Sequence, residues 1–165
     1  MTETQNESPL IDPNLANTTA ETAPVPVVTA KPAKPDMGGF IWGTGRRKSS
    51  IARVRIKPGK GELMINKRQV HEYFSQEKDR DAVSAPLKAT DTLNALDVFV
   101  NVKGGGTTGQ AGAVMLGIAR ALKNYDPSLM KQLRDGGYLT RDSRMVERKK
   151  PGKPGARKSF QFSKR

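Results

Sequence analysis

A glycine-rich loop at residues 103–109 has the spacing most typical of a chemical site. Gly104, Gly106 and Gly109 match G-x-G-x-x-G between a predicted strand and a predicted helix. Glycines allow backbone N–H groups to close on a phosphate, and a helix N-terminus adds a favourable field. A dinucleotide site would also need a second strand after the helix, whereas Asp126 begins another helical segment. We therefore favour a polynucleotide phosphate as the ligand, with a turn for tight strand–helix packing as the alternative.

Three consecutive cations form a second candidate site. Arg46, Arg47 and Lys48 follow the Gly-Thr-Gly segment at 43–45 and precede Ser49. The run is not a P-loop, because Arg47 stands where that motif requires glycine and the glycine spacing differs. In a chain with a net charge of +13, we interpret these cations as phosphate ligands rather than as a solvated turn.

Residues able to carry covalent or metal chemistry are few. His71 is the only histidine, its neighbours include no nucleophile, and the chain has no cysteine. A lone histidine on a short helix is more often a packing or surface residue than a catalyst. No spacing of histidines and carboxylates resembles a metal site. We therefore predict no catalytic site, no metal, no cofactor and no small-molecule substrate.

The C-terminal residues are strongly cationic. Residues 141–165, called here the basic segment, contain ten basic and two acidic residues, a net charge of +8, interrupted by prolines and glycines. Such a stretch buries too little apolar surface to offset its ordering entropy, so we expect an extended tail that lies along a polyanion. Phe160 and Phe162 would either stack on unpaired bases or pack on a protein neighbour.

The rest of the chain divides by charge into two regions. Residues 1–37 are rich in Thr, Ala and Pro with an excess of acids, and we expect a disordered extension there. Residues 38–140 carry a net charge of +8 and are long enough for one globular domain with a single core. The whole chain has 29 basic and 16 acidic residues, which is typical of a nucleic-acid binder. Without a secretory signal pattern or a spanning apolar run, we predict a cytoplasmic protein with no membrane partner.

The elements that would position these sites mix strands and helices. We predict strands at residues 40–45, 50–56, 62–65 and 96–102. We predict helices at residues 67–74 with Asn66 as the cap, 80–88 bent or ended by Pro86, 110–123, and 127–134. The 110–123 helix is apolar on most faces, so we expect it to be buried. In the second strand we expect Ile51, Val54 and Ile56 to be its apolar positions.

Three sequence blocks share the pattern of one known family. They are residues 43–54 (GTGRRKSSIARV), residues 102–106 with 109–112 (VKGGG and GQAG), and residues 139–152 (LTRDSRMVERKKPG) followed by a Phe-Ser-Lys-Arg end. Together they resemble the family of bacterial small-subunit ribosomal protein nine over about residues 38–165. The C-terminal pattern is highly specific, whereas residues 1–36 lie outside the family core.

The resemblance implies an α/β fold, an α+β sandwich like the second domain of ribosomal protein five, with a left-handed β-α-β crossover. Chain physics alone would favour a right-handed crossover. The resemblance also implies a structural, non-enzymatic role in translation, in the head of the small ribosomal subunit. There the family binds the 3′ domain of 16S rRNA beside other head proteins, and its tail reaches the peptidyl-site tRNA. Lys164 and Arg165 match the terminal tRNA-binding positions.

From charge and resemblance together we predict rRNA contacts in three groups of residues. The first is the cationic run with its neighbours, Arg46, Arg47, Lys48, Ser49 and Arg53. The second is the loop, Lys103, Gly104, Gly105, Gly106, Thr107, Thr108 and Gly109. The third lies in the basic segment, Arg141, Arg144, Arg148, Lys149, Lys150, Lys153, Arg157 and Lys158. Two alternatives stay open: a general nucleic-acid compacting protein, and a nucleotide-binding enzyme that uses the 104–109 loop.

Overall fold

Five strands form one sheet in the computed structural model, which describes residues 34–164. The strands are β1 (Ile41–Arg47), β2 (Ser50–Pro58), β3 (Leu63–Ile65), β4 (Arg68–Gln69) and β5 (Leu96–Lys103). In space their order is β1-β2-β5-β3-β4, and every neighbouring pair is antiparallel except β3 and β5, which run parallel. The expected class, a fold that mixes helices with a sheet, is therefore confirmed.

Helices connect and cover the strands. Within residues 34–164 they are α1 (Val70–Tyr73), α2 (Glu77–Ala89), α3 (Thr107–Tyr125) and α4 (Met130–Asp135), with a 3₁₀ turn at Pro127–Leu129. α3 lies at the centre of the molecule, and its side chains Val114, Ile118 and Leu122 are fully buried. The prediction of a buried helix in this part of the chain is confirmed.

The core lies between α3 and one face of the sheet. Along β1, β2 and β5 buried and accessible residues alternate, so that Val54, Val98 and Val100 pack toward the helix. α3 comes very close to β1 because Gly45 has no side chain, and a Cβ there would overlap the carbonyl oxygen of Ala113. The sheet thus has one buried face and one face turned away from the helices.

We call the second side the open face of the sheet. The register of the three long strands places on it Trp42, Thr44, Arg46, Ile51, Arg53, Arg55, Lys57, Asp97, Phe99, Asn101 and Lys103. The expected apolar positions of β2 are corrected at one residue. Ala52, Val54 and Ile56 form its buried row, and Ile51 lies on the open face. The reason is the strict two-residue period of a strand, which places residue 51 on the side opposite to residues 54 and 56.

The predicted helix at 67–74 with Asn66 as its cap is wrong. Asn66 and Lys67 have φ of 49° and 66° and turn the chain from β3 into β4, leaving α1 as a single turn. The Asn66 amide instead serves β5, since its Nδ2 donates to the Val102 carbonyl and its Oδ1 accepts from the Val102 N–H, both at 3.0 Å. β3 has ended there, so the side chain satisfies backbone groups that a longer strand would have paired.

Two further helix boundaries differ from the sequence prediction. α2 begins at Glu77 and continues past Pro86 to Ala89, because Val83, Pro86 and Leu87 are buried and tertiary packing holds the last turn. α3 begins at Thr107, so the second half of the predicted 103–109 loop forms the first turn of the helix. The loop between β5 and α3 is consequently shorter than the seven residues predicted.

The ends of the chain are only partly described. Residues 34–37 form no helix or strand, and the Trp42 indole N–H donates to Asp36 at 3.3 Å. The remainder of the expected disordered extension, residues 1–33, lies outside the described residues, as does Arg165. Among the helices of residues 34–164, none combines the length and apolar character needed to cross a membrane.

Candidate nucleic-acid interface

The cationic run forms the turn between β1 and β2, and the glycine loop docks directly beneath it. Lys48 and Ser49 are the two turn residues, with φ of 51° at Lys48. Ser50, which follows, is fully buried, and its hydroxyl donates to the Gly104 carbonyl at 3.0 Å. A second donor, the Gln110 side-chain amide, reaches the same carbonyl at 3.1 Å. The Ser50 bond therefore fixes the loop to the end of the turn, and the Gln110 bond fixes it to α3.

The loop needs glycine at two consecutive positions. Gly104 and Gly105 have φ of 77° and 66°, in the left-handed region that residues with a side chain rarely adopt. A Cβ at Gly104 would lie 2.6 Å from the Ser49 carbonyl oxygen, and one at Gly105 would overlap the Ser50 hydroxyl. The backbone conformation and the lack of space for a side chain therefore both require glycine at positions 104 and 105.

The N-terminus of α3 lies beside the cationic turn and the glycine loop. Gly106 is the N-cap residue and no side chain caps the helix, so backbone N–H groups of the first turn remain available to a ligand. The partial positive charge of the helix end adds to the nearby cations Lys48 and Lys103, which are both exposed. Thr108 is partly engaged elsewhere, since its hydroxyl donates to the buried Asp79 carboxylate at 3.4 Å. We call residues 46–49 and 103–109 together the loop corner.

Arg47 has a different position from its neighbours in the cationic run. Its Nε and Nη2 each lie 3.2 Å from Asp142 Oδ2, and its Nη1 donates to the Thr108 carbonyl at 3.0 Å. Its aliphatic stem passes over Gly112, where a Cβ would collide with it. Arg47 therefore ties the beginning of the basic segment to the first turn of α3, whereas Arg46 and Lys48 are exposed.

Asp142 binds two arginines at this junction. Its Oδ1 accepts the Arg144 backbone N–H at 3.0 Å and the Arg144 Nε at 3.1 Å, while its Oδ2 accepts from Arg144 Nη2 and from Arg47. The hydrogen bonds from Arg144, followed by the one from Arg47, hold the pKa of this carboxyl far below its ordinary value of 3.8. Asp142 is thus ionised throughout the physiological range.

The described part of the basic segment, residues 141–164, contains no helix or strand and is mostly exposed. Its other acid, Glu147, accepts two hydrogen bonds from Arg157 Nε at 3.1 and 3.0 Å, and this contact lowers the Glu147 pKa. Both acids of the segment are therefore paired. Within residues 34–164 no acidic partner lies beside the remaining predicted cations Arg141, Arg148, Lys149, Lys150, Lys153, Lys158 and Lys164.

Arg53 does not join the loop corner. It lies in the middle of β2 on the open face, paired in register with Thr44 and Asn101. Its guanidinium carbon is 5.5 Å from the centre of the Trp42 ring. The sequence prediction omitted its neighbours Arg55 and Lys57, which the two-residue period of β2 could have grouped with Arg53 on one side of the sheet.

A comparison with protein families identifies the kind of chain that carries this interface. Residues 45–165 match the family described as ribosomal protein S9/S16. The chain belongs to this family. The match includes the cationic turn, the glycine loop and the basic segment, and it confirms the resemblance seen in the three sequence blocks.

Two relatives of the S9/S16 chain are named as small-subunit ribosomal proteins. It is 52% identical over 139 residues to "Small ribosomal subunit protein uS9m" of Arabidopsis thaliana. The matched region covers 84% of this chain and 32% of the relative. It is 52% identical over 132 residues to "Small ribosomal subunit protein uS9" of Rhodopirellula baltica. The matched region covers 80% of this chain and 96% of the relative. The chain thus spans about a third of the plant relative and nearly all of the bacterial one.

Family membership also settles the protein class. The S9/S16 chain is a ribosomal protein of the small subunit and a structural component rather than an enzyme, as predicted. The described topology also differs from that of a dinucleotide-binding unit. In residues 34–164 no strand follows α3, whereas a dinucleotide-binding unit needs a parallel strand there. The described residues also contain no cluster of His, Asp or Glu suited to a metal ion.

Proposed function

We propose that this chain is a structural constituent of the small ribosomal subunit that binds the 3′ domain of 16S rRNA in the subunit head. The observation that carries the proposal is the meeting of the cationic turn, the glycine loop and the start of the basic segment at one end of α3. The names of the two relatives support the small-subunit part of this assignment. Its partners are the rRNA and other head proteins, and its compartment is the cytoplasm.

At the loop corner, the proposed mechanism is neutralisation of phosphate charge by groups that are already in place. Arg46, Lys48 and Lys103 supply exposed positive charge, and Ser49 and the first-turn N–H groups of α3 supply hydrogen bonds. Arg47 holds the basic segment against this corner, so it contributes to rRNA binding by positioning the segment and not by contacting a phosphate. The backbone N–H groups are held in place by the helix, so they bind phosphate with little further loss of conformational entropy, which favours affinity.

The basic segment is proposed to fill a groove between rRNA strands whose phosphates would otherwise repel each other. Internal pairing of Asp142 and Glu147 keeps their negative charge away from the rRNA. The seven cations without an acidic partner in the described chain are then available to phosphates. At full extension, 25 residues span at most about 80–90 Å. A path from the folded residues to a distant tRNA is therefore physically accessible.

The end of the basic segment is proposed to reach the peptidyl-site tRNA. Lys164 is exposed at the last described position, and Arg165 lies outside the described residues. Two adjacent cations at a chain end concentrate positive field where a tRNA backbone would arrive, and the contact would be independent of base sequence.

We also propose that the connection from β3 to β5 is the left-handed crossover of the second domain of ribosomal protein five. β3 and β5 pair in parallel, with Leu63 opposite Val98 and Ile65 opposite Val100. Parallel neighbours need a long crossover connection, and α1 and α2 supply it.

The test compares the full chain with a variant lacking residues 141–165 in binding to a transcript of the 16S rRNA 3′ domain. We expect the full chain to prefer this transcript over unrelated RNA and duplex DNA at several hundred millimolar salt. We expect the deletion to weaken binding and to reduce the salt slope by about 0.7–0.9 for every phosphate that the variant no longer neutralises. Equal affinity for all three nucleic acids would instead support the compacting protein. An unchanged affinity and slope would exclude the basic segment from the interface.

A further inference from the structure

The open face of the sheet carries an ordered set of aromatic and cationic side chains outside the loop corner. In register across the strands, Trp42 of β1 lies beside Arg55 of β2, Arg55 beside Phe99 of β5, and Phe99 beside Met64 of β3. The side chains of one such row project from the same side of the sheet. The sheet thus presents an aromatic–cation–aromatic row.

The cations are held by aromatic rings rather than by acids. The Arg53 guanidinium lies 5.5 Å from the centre of the Trp42 ring. The Arg55 guanidinium lies 5.0 Å from the centre of the Phe40 ring and 5.5 Å from that of Phe99. Cation–π contacts of this kind fix the guanidinium plane but leave its N–H donors available. Neither arginine has a carboxylate within ion-pair distance among the described residues.

Outside the loop corner, the cations of the open face are Arg53, Arg55 and Lys57. Asp36 accepts the Trp42 indole N–H at 3.3 Å, and the one acid in the three long strands is Asp97. That acid is turned to the next loop, because its Oδ1 accepts N–H groups of Lys60 at 2.8 Å and Glu62 at 3.2 Å. Its contact with Lys57, at 3.9 Å, is long.

This combination fits single-stranded nucleic acid better than a protein surface. Bases stack on aromatic rings and on guanidinium planes, and phosphates accept hydrogen bonds from arginine. Residues two apart on a strand are separated by roughly 6.5–7 Å, so Arg55 and Lys57 can meet successive phosphates of an extended strand. A protein partner would have to supply several carboxylates against an aromatic row.

We propose that the open face is a second RNA-binding surface, on which unpaired nucleotides of rRNA stack against Trp42 and Arg53 while their phosphates contact Arg55 and Lys57. This inference rests on the proposed function, because it assigns an additional contact of the same rRNA. It differs in its site, which lies on the sheet away from the residues at the loop corner and the basic segment.

Trp42 gives a local signal for the test because it is the only tryptophan in the chain. In the full chain, polyuridylate titration is expected to quench its emission saturably, since a stacked base quenches indole fluorescence. The double variant Arg53→Gln with Arg55→Gln is expected to weaken this quenching at least about fivefold. Its salt slope should fall by about 0.7, because Arg55 is the proposed phosphate contact that the variant loses and each single-strand phosphate contact contributes about 0.7.

The matched control is Lys123→Gln with Lys131→Gln, which removes one charge from α3 and one from α4. It should leave the quenching and its salt slope unchanged, and both double variants should keep the thermal unfolding midpoint of the parent chain. Equal weakening by the two variants would mean that only net charge matters, and it would overturn the proposal.

A second measurement separates this proposal from the function on which it rests. Thr44, exposed on the same face, is replaced by the photo-crosslinking residue p-benzoylphenylalanine, and the chain is assembled on the 16S rRNA 3′ domain with the other head proteins. A crosslink to rRNA supports the open face as an RNA surface. A crosslink to protein, or normal rRNA binding with no crosslink and no change in Trp42 emission, overturns it while the proposed function stands. A failure of the parent chain to bind the rRNA would overturn both.

Discussion

At the scale of single residues, Asp142 joins the folded part of the chain to the basic segment. It binds Arg144 beside it in sequence and Arg47 on β1, and Arg47 in turn reaches the first turn of α3. The three adjacent cations Arg46, Arg47 and Lys48 thereby acquire different roles. The two outer ones face solvent, and the middle one is engaged within the protein.

Replacing Asp142 should release the basic segment from this junction. In Asp142→Asn the ion pair with Arg47 is removed, so trypsin should cleave after Arg141 and Arg144 faster, on the order of twofold to fivefold, as expected for the loss of a partly exposed ion pair. The control is Asp135→Asn, which removes an exposed charge that has no ion pair among residues 34–164. Equal cleavage rates in the two variants would show that Asp142 does not hold the segment.

The same junction should depend on pH in a defined direction. Because the pKa of Asp142 is lower in the folded chain than its ordinary 3.8, its contacts stabilise the fold fully above that value. The contribution disappears only as the pH falls through the lower, folded value. Nitrogen-detected NMR of the Arg47 Nε–H should therefore show an unchanged signal from neutral pH down to 3.8. A midpoint at or above 3.8 would contradict the two-arginine contact.

At the scale of elements, the loop corner depends on a glycine between β5 and α3. Gly105→Ala should lower the free energy of unfolding by at least about 1–2 kcal/mol, the cost of a left-handed residue with a side chain, with additional strain from the Ser50 hydroxyl. Urea unfolding measures the change.

The control for that substitution is Gly106→Ser. Gly106 has open space at its Cβ position, and serine is a favoured N-cap residue, so the stability of this variant should equal or exceed that of the parent. If Gly105→Ala were as stable as Gly106→Ser, the close docking of the loop under the cationic turn would be wrong.

The elements also show what the sequence could predict. The long strands and the buried helix α3 follow from periodicity and apolar character, and the structure confirms them. The prediction for Asn66 is wrong because its local preference for a helix cap is overridden by a distant partner, the Val102 backbone. Pro86 lies inside α2 for a similar reason, since burial against the core outweighs its missing N–H. Local propensity does not encode such tertiary contacts.

The segments that form the candidate site could also be predicted from the sequence, but the contacts between them could not. The cationic turn and the glycine loop are visible in the sequence, but their docking through Ser50 and Gly104 needed the sheet pairing of β2 with β5. The engagement of Arg47 by Asp142 joins residues 95 positions apart, and no spacing rule indicates it. The aromatic row of the open face likewise emerges only when the strand register is known.

At the scale of the whole molecule, the chain separates a folded region from a long cationic segment of equal net charge. Residues 37–140 and residues 141–165 each carry +8, while residues 1–36 carry −3. Under the proposed function, one part anchors on an rRNA surface while the other follows a path between its strands. Both proposed contacts rely on phosphate neutralisation, so both should weaken as salt is raised.

Truncation of the chain end should separate assembly from tRNA binding. A variant lacking residues 163–165 lacks two of the ten cations of the basic segment, so it should enter small subunits normally. Subunits that contain it should retain tRNA in the peptidyl site less well, because positive field is missing there. Filter binding of tRNA to intact and truncated subunits measures the effect. Equal tRNA affinity would rule out the proposed contact of Lys164 and Arg165.

The central claim is that this chain is an rRNA-bound component of the small ribosomal subunit. Its most direct test is sedimentation of the tagged full chain from cell lysate through a sucrose gradient at several hundred millimolar salt, where nonspecific binding to nucleic acid is weak. We predict that the chain migrates with free small subunits and with whole ribosomes. Its release to the top of the gradient, or its migration with DNA, would contradict this claim.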